Sequence, residues 1–217
     1  MRTAVFDLDG TLADTSRDLI GAANACFDTP PLDPEADAGT AFRGGRAMLS
    51  LGLQRQGVAE TADIEALHCR FLDHYAARID AETRIYDGVE AALDTLAAQG
   101  WRLAVCTNKP AALAETLLQR LGLRTRFLAM LGADSLAVKK PDPAHVLETV
   151  ARAGGDPTRA VMIGDTQTDR DAARAAGIPC VLMGFGPGAA TAADLAPEAI
   201  LPHYDDLPGL LDQLVGG

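Results

Sequence analysis

The sequence predicts an α/β fold: a parallel β-sheet sandwiched between helices, with a small helical domain inserted after the first strand. Three observations lead to it. Short apolar stretches alternate along the chain with amphipathic segments of helical spacing. The later apolar stretches show no polar alternation, as in strands buried on both faces. A long, mostly helical interval then separates the first apolar stretch from the next, too long for one crossover helix. With 217 residues, 48% hydrophobic and 23% charged, the chain has the profile of a globular protein rather than a disordered or fibrous one.

Thr3 to Phe6 is short, apolar and β-favouring and runs into Asp7-Leu8-Asp9-Gly10-Thr11, so it reads as a strand and loop. Residues 16–84 form the insert, with helices expected at Asp18–Phe27, Ala47–Arg55 and Ile64–Ile79 and with Pro30-Pro31 and Asp33-Pro34 as breakers. Residues 1–15 and 85–217 make the main domain. Its further strands are Arg102–Thr107, Ala160–Asp165 and Ile178–Met183, and its helices Val89–Ala98, Ala111–Leu121, Ala144–Ala153 and Asp169–Ala176. Ligands of such folds bind beyond the carboxyl ends of the strands.

Nineteen basic residues against thirty acidic give a net charge of −11, which repels polyanions, so nucleic acid is not an expected partner. No stretch approaches the ~18 consecutive apolar residues of a membrane span. Cys26, Cys69, Cys106 and Cys180 are scattered without C-x-x-C spacing, and the N-terminal apolar run is too short for a secretory signal. A cytoplasmic protein with reduced thiols is expected.

Chemistry-bearing residues gather at the strand ends. Asp7 and Asp9 sit two apart where Gly10 permits a turn; they read either as an acidic surface turn or as paired carboxylates held together by a hard cation such as Mg²⁺. Thr107-Asn108-Lys109 precedes a helix and reads either as a helix cap or as an anion site. In Lys139-Lys140-Pro141-Asp142-Pro143, Asp142 is a natural N-cap and Pro143 a first-turn residue. Asp165 ends a strand, and Asp169 falls in the first turn of the next helix. All three lysines of the chain, Lys109, Lys139 and Lys140, lie in these loops. The set of carboxylates, hydroxyl and ammonium on one sheet edge is what phosphoryl transfer requires in an acidic protein.

In this order, Asp7-Leu8-Asp9-Gly10-Thr11-Leu12 with Asp14, Thr107-Asn108-Lys109, Lys140-Pro141 and Gly164-Asp165-Thr166 with Asp169 resemble the motifs of the haloacid dehalogenase superfamily, within it the phosphoglycolate phosphatase-like branch. The resemblance implies a Rossmann-like three-layer sandwich whose insert is an α-helical cap domain. It implies a phosphoric monoester hydrolase in which Asp7 attacks phosphorus to form an aspartyl-phosphate, Asp9 serves as acid and then base, and Thr107 and Asn108 bind the phosphoryl oxygens. Lys140, which directly precedes a proline as the family's lysine does, neutralises charge; Lys139 is the reserve. Mg²⁺ is held by Asp7, Asp165 and the main-chain carbonyl of Asp9, with Asp169 orienting the groups around it.

A dehalogenase of the same superfamily needs no second acid, because a halide leaves without a proton, so Asp9 argues for a phosphate ester. A mutase of the β-phosphoglucomutase kind shares the core and remains the alternative. The rival of another class, a receiver-like signalling or phosphate-binding protein without turnover, has no use for Asp9 and is shorter. In the insert, Phe42-Arg43-Gly44-Gly45-Arg46 is similar to the family's specificity loop, although its glycines depart from G-x-G spacing. Arg43 or Arg46 then clamps a substrate carboxylate, against the plainer reading of exposed arginines at a helix start. The expected partner is a small phosphorylated metabolite, and the expected assembly a monomer or homodimer.

Overall fold

The computed structural model of the chain describes residues 1–59 and 62–215, so positions 60, 61, 216 and 217 of the two expected domains lie outside the described residues. It divides into two compact units, Met1–Ala13 with Ile85–Gly217, and Asp14–Arg84. The chain opens with β1 (Thr3–Phe6) and β2 (Ala13–Asp14), followed by α1 (Ser16–Asn24), α2 (Ala38–Ala41), α3 (Gly45–Gln56) and α4 (Ile64–Ala77). It returns through β3 (Arg84–Ile85), which pairs with β2, to α5 (Val89–Ala98), β4 (Arg102–Cys106), α6 (Ala111–Arg120) and β5 (Ala129–Leu131). There follow α7 (Pro143–Arg152), β6 (Ala160–Gly164), α8 (Gln167–Ala176), β7 (Cys180–Met183), α9 (Ala189–Ala192), β8 (Ala199–Leu201) and α10 (Leu207–Val215).

In the first unit six parallel strands lie in the order β5-β4-β1-β6-β7-β8. The chain builds outward from β1 to β4 and β5 on one side, then to β6, β7 and β8 on the other. The carboxyl end of β1 is therefore the switch point at which such sheets bind ligands. Both faces are buried. Val5, Cys106, Met162, Cys180 and Leu182 pack against Val146 and Val150 of α7 and Ala172 and Ala173 of α8. Ala4 and Phe6, alternate with Val5, point to the opposite face, and α5 and α10 pack against each other and against strands of the sheet. The result is the three-layer Rossmann-like sandwich that the unalternating strands predict.

Boundaries moved where local chemistry outweighs periodicity. β7 starts at Cys180 rather than Ile178, since Pro179 has no N–H for the ladder. α8 starts at Gln167, two residues earlier than expected, because the Asp169 carboxylate accepts the N–H of Thr166 and closes the first turn. The three-residue strands β5 and β8 and the helix α10 were not anticipated. Strands of three residues are too short to carry a period.

Gly132, just after β5, makes a close approach that matters for the site. A Cβ there would lie 2.5 Å from the backbone of Ala111 and 2.7 Å from the carbonyl of Lys109. Gly132→Ala is expected to cost about 1–3 kcal/mol and to disturb the loop before α6. Urea unfolding followed by circular dichroism measures it, and an unchanged midpoint would count against the packing described.

In the second unit, buried Asp18 of α1 accepts the N–H groups of Glu82 and Thr83 and the Thr83 hydroxyl at 2.8–2.9 Å. Arg55 of α3 forks onto Asp37 at 2.5 and 2.8 Å, and this pairing holds the Asp37 carboxyl below its usual range. Asp63 caps α4 through the N–H groups of Glu65 and Ala66. Among the described residues no helix is long and apolar enough to cross a membrane.

Candidate active site

Register places the site residues. Phe6 pairs with Val105 on one side and Ile163 on the other, so Asp7 emerges between the ends of β4 and β6. Its N–H still donates to the Ile163 carbonyl (2.9 Å), and that of Thr107 to Leu131 (3.0 Å), which carries backbone pairing one residue past the strands and pins both positions. Gly10 takes φ +77°, and the N–H groups of Thr11 and Leu12 turn back onto the Leu8 carbonyl. The turn expected after Asp9 is present.

Lys140 lies at the centre, fully buried, with Nζ 2.6 Å from Asp169 Oδ1 and 3.1 Å from Asp7 Oδ1. Lys139 is exposed. Asp7, Asp165 and Asp169 each bring a carboxylate oxygen within 4.8 Å of the others. Asp169 is held by the N–H and hydroxyl of Thr166 (3.1 and 2.8 Å), and Asp165 Oδ1 accepts the Thr11 hydroxyl at 3.2 Å. Asp165 Oδ2 is buried and has no hydrogen-bond partner.

Three carboxylates against one ammonium leave two negative charges to be met in a dry site. Burial, resisted by Lys140 and reinforced by Asp169 and Asp9, pushes the Asp7 carboxyl up to about 7. Burial and then the charges of Asp169 and Asp7 raise Asp165 well above the carboxylate range. Burial works against the charge of Lys140, yet Asp169 and then Asp7 outweigh it and raise that group above its usual value. An unsatisfied carboxylate oxygen, an all-oxygen donor set and a deficit of two positive charges fit a divalent hard cation such as Mg²⁺.

The loop after β4 does not cap α6. Thr107 Oγ1 accepts the N–H of Lys109 (3.1 Å), while the first N–H of the helix, that of Ala111, goes to Asp134 (2.7 Å). Asn108 donates from Nδ2 to the Lys140 carbonyl at 2.8 Å and so ties two motif loops together. The Asp9 carboxylate, which is not one of the three grouped within 4.8 Å, pairs with Lys109 at 2.8 Å. Asp142 caps α7 as expected, with Pro143 in its first turn.

Two residues stand out to which the sequence reading assigns no role of their own. Lys109 is one, a member of a motif loop. The other is His145: its Nδ1 accepts the N–H of Lys140 (3.3 Å), and its Nε2 lies 3.1 Å from the Gly132 carbonyl. Burial, with Lys140 beside it, lowers its pKa, which keeps Nδ1 an acceptor. Local spacing does not mark it, because one partner is a main-chain N–H in the loop leading into its own helix and the other a main-chain carbonyl thirteen residues back, just after β5.

In the second unit Arg46 is engaged: Nε and Nη2 donate to Glu65 at 2.9 and 2.6 Å. That partner lies nineteen residues away, beyond reach of a reading by local spacing. Arg43 is exposed.

The family model for haloacid dehalogenase-like hydrolases matches residues 1–177. A Mesorhizobium japonicum protein named phosphoglycolate phosphatase is 42% identical over 209 residues, covering 94% of this chain and 91% of its own. Among solved structures, a predicted phosphoglycolate phosphatase from Haemophilus somnus 129PT superposes with a TM-score of 0.85 at 27% identity, covering 97% of both chains. CbbY from Rhodobacter sphaeroides, solved in complex with phosphate, gives 0.77 at 25% identity, covering 95% of this chain and 96% of its own.

Proposed function

The chain belongs to the haloacid dehalogenase-like hydrolases and is a phosphatase, and from that premise we propose that it hydrolyses a small phosphate monoester of the 2-phosphoglycolate type, with Mg²⁺, through an aspartyl-phosphate on Asp7. The observation that carries this reading is the placement of Asp7 at the sheet's switch point, against buried Lys140 and with a second acid two residues on. Relatives named for phosphoglycolate match nearly the whole chain, which supports that substrate class.

Asp7 attacks phosphorus, and Asp9 protonates the leaving oxygen, then takes a proton from the water that releases phosphate. Lys140 favours the carboxylate form of Asp7 and neutralises the phosphoryl oxygens, while Asp169 fixes the lysine. Thr107 and the N–H of Asn108 bind the phosphoryl group. Asp7, Asp165 and the main-chain carbonyl of Asp9 hold Mg²⁺, which supplies charge neutralisation at the phosphoryl oxygens when bound. The insert, residues 16–84, acts as the family's cap, and its Arg43 takes the substrate carboxylate. Arg46, already paired with Glu65, braces the loop. The cysteines, all free thiols, suit the reducing cytoplasm.

Phosphate release is measured with Mg²⁺ across 2-phosphoglycolate, sugar phosphates, nucleotides and an aryl phosphate. Preference for 2-phosphoglycolate is expected, and Arg43→Ala should raise its KM about 10-fold or more while leaving the aryl ester, which has no carboxylate, unchanged. Even rates across esters would remove the substrate assignment, and isomerised sugar phosphate without phosphate release would favour the mutase.

A further inference from the structure

Lys109 has no part in the reaction described above, yet its side chain is only 4% exposed and its Nζ lies 2.8 Å from Asp9 Oδ1. Its backbone is fixed at both ends, since its N–H donates to Thr107 Oγ1 and its carbonyl accepts the N–H of Ala133 (2.9 Å). Gly132 closes against the same carbonyl, with no room there for a side chain. The ammonium therefore projects from a rigid support. Asp9 is also held, in the turn where the N–H of Gly10 donates to the Ala13 carbonyl. Burying an ammonium is costly unless a charged partner answers it, and Asp9 is that partner.

An ammonium has three donors and no acceptor, so toward Asp9 Oδ1 it can only donate. When Asp9 is protonated, the proton is carried by Oδ2. The geometry points to Lys109 as a positioning residue for the acid: it fixes the Asp9 carboxyl and confines the transferable proton to Oδ2, and esters of poorly leaving alkyl alcohols are the substrate class that depends on it. This rests on the reading of Asp7 as nucleophile and Asp9 as acid. As the bond from the Asp7 oxygen to phosphorus forms, the bond from phosphorus to the leaving oxygen breaks, and its electron pair stays on that oxygen. The oxygen takes the proton from Oδ2, and Asp9 is left a carboxylate paired with the Lys109 ammonium. In the second half, water oxygen attacks phosphorus, its proton goes to Oδ2, and the bond to Asp7 breaks.

The test is kcat/KM, which reports the first transfer, for a series of phosphate monoesters from alkyl to 2,4-dinitrophenyl, whose phenolate leaves without a proton. Lys109→Met should lose roughly 100-fold on alkyl esters and less than about 5-fold on the dinitrophenyl ester. Lys109→Arg, which keeps the cation, should recover part of the alkyl loss, and Lys109→Met should cost little more once Asp9→Asn is in place. Equal losses along the series, or an undiminished loss in the Asp9→Asn background, would overturn the inference, and an intact thermal transition excludes unfolding. Should Lys109→Met not fold, Lys109→Gln gives the same comparison. If the wild-type enzyme itself shows no turnover that depends on Asp7, the parent reading fails instead.

Discussion

Asp7→Asn is expected to lower phosphate release roughly 10⁴-fold or more while leaving the fold intact, because the amide is nearly the carboxylate's size but cannot attack phosphorus. A residual rate near wild type, once deamidation of the asparagine is excluded by mass spectrometry, would remove Asp7 as nucleophile. The same variant makes a second, independent signal in metal-free protein. The folded state holds the Asp7 proton up to about pH 7, whereas the unfolded chain releases it near the ordinary carboxylate value. Asp7 therefore costs stability increasingly as pH rises from about 4 to about 7. The asparagine does not titrate, so Asp7→Asn should gain on the wild type over that window. Urea unfolding with a chelator at pH 5 and pH 7.5 measures the difference, and a gain that shrinks with rising pH would contradict the electrostatics of the site.

Removing divalent metal is the other large effect expected. A chelator should abolish turnover, and Mg²⁺ should restore it. Saturating Mg²⁺ should also raise the thermal midpoint by on the order of 5 °C, since a ligand at 100 times its Kd stabilises by about 2.7 kcal/mol. The pH dependence has a definite sign. In metal-free protein the carboxyls of Asp7 and Asp165 hold protons above the usual range, and the cation must displace them. Affinity should therefore rise with pH between about 6 and 8, and binding should release protons. Calorimetry at pH 6.5 in two buffers of different ionisation enthalpy reads that release directly. Asp165→Asn should abolish both the shift and the release. Equal stabilisation by Mg²⁺ in wild type and Asp165→Asn would place the cation elsewhere.

Much of the core was legible because its signals are local. Four strand ends announce themselves as apolar runs broken by glycine, acid or hydroxyl; one of the four expected strands has the expected bounds and the other three lie within one or two residues of theirs. β5 and β8 escaped because three-residue strands owe their existence to the neighbours they pair with, β4 and β7. The three helices expected in the insert are present with ends shifted by up to three residues, as capping rather than periodicity sets where a helix stops, while the four-residue α2 is too short to carry a period.

By itself the sequence determined the α/β class, the order of the motif loops and the residue types they carry, since these follow from burial pattern and backbone preference within a few residues of each position. Tertiary structure alone decided the partners. Asp7 meets Lys140, Lys140 meets Asp169, Asp9 meets Lys109, and Arg46 is taken up by Glu65. Charge pairing depends on distance through space, and the sheet order β4-β1-β6 brings together residues a hundred or more positions apart. The same closeness, in a site from which water is excluded, raises the Asp7 and Asp165 carboxyls and leaves two negative charges for a divalent cation to balance.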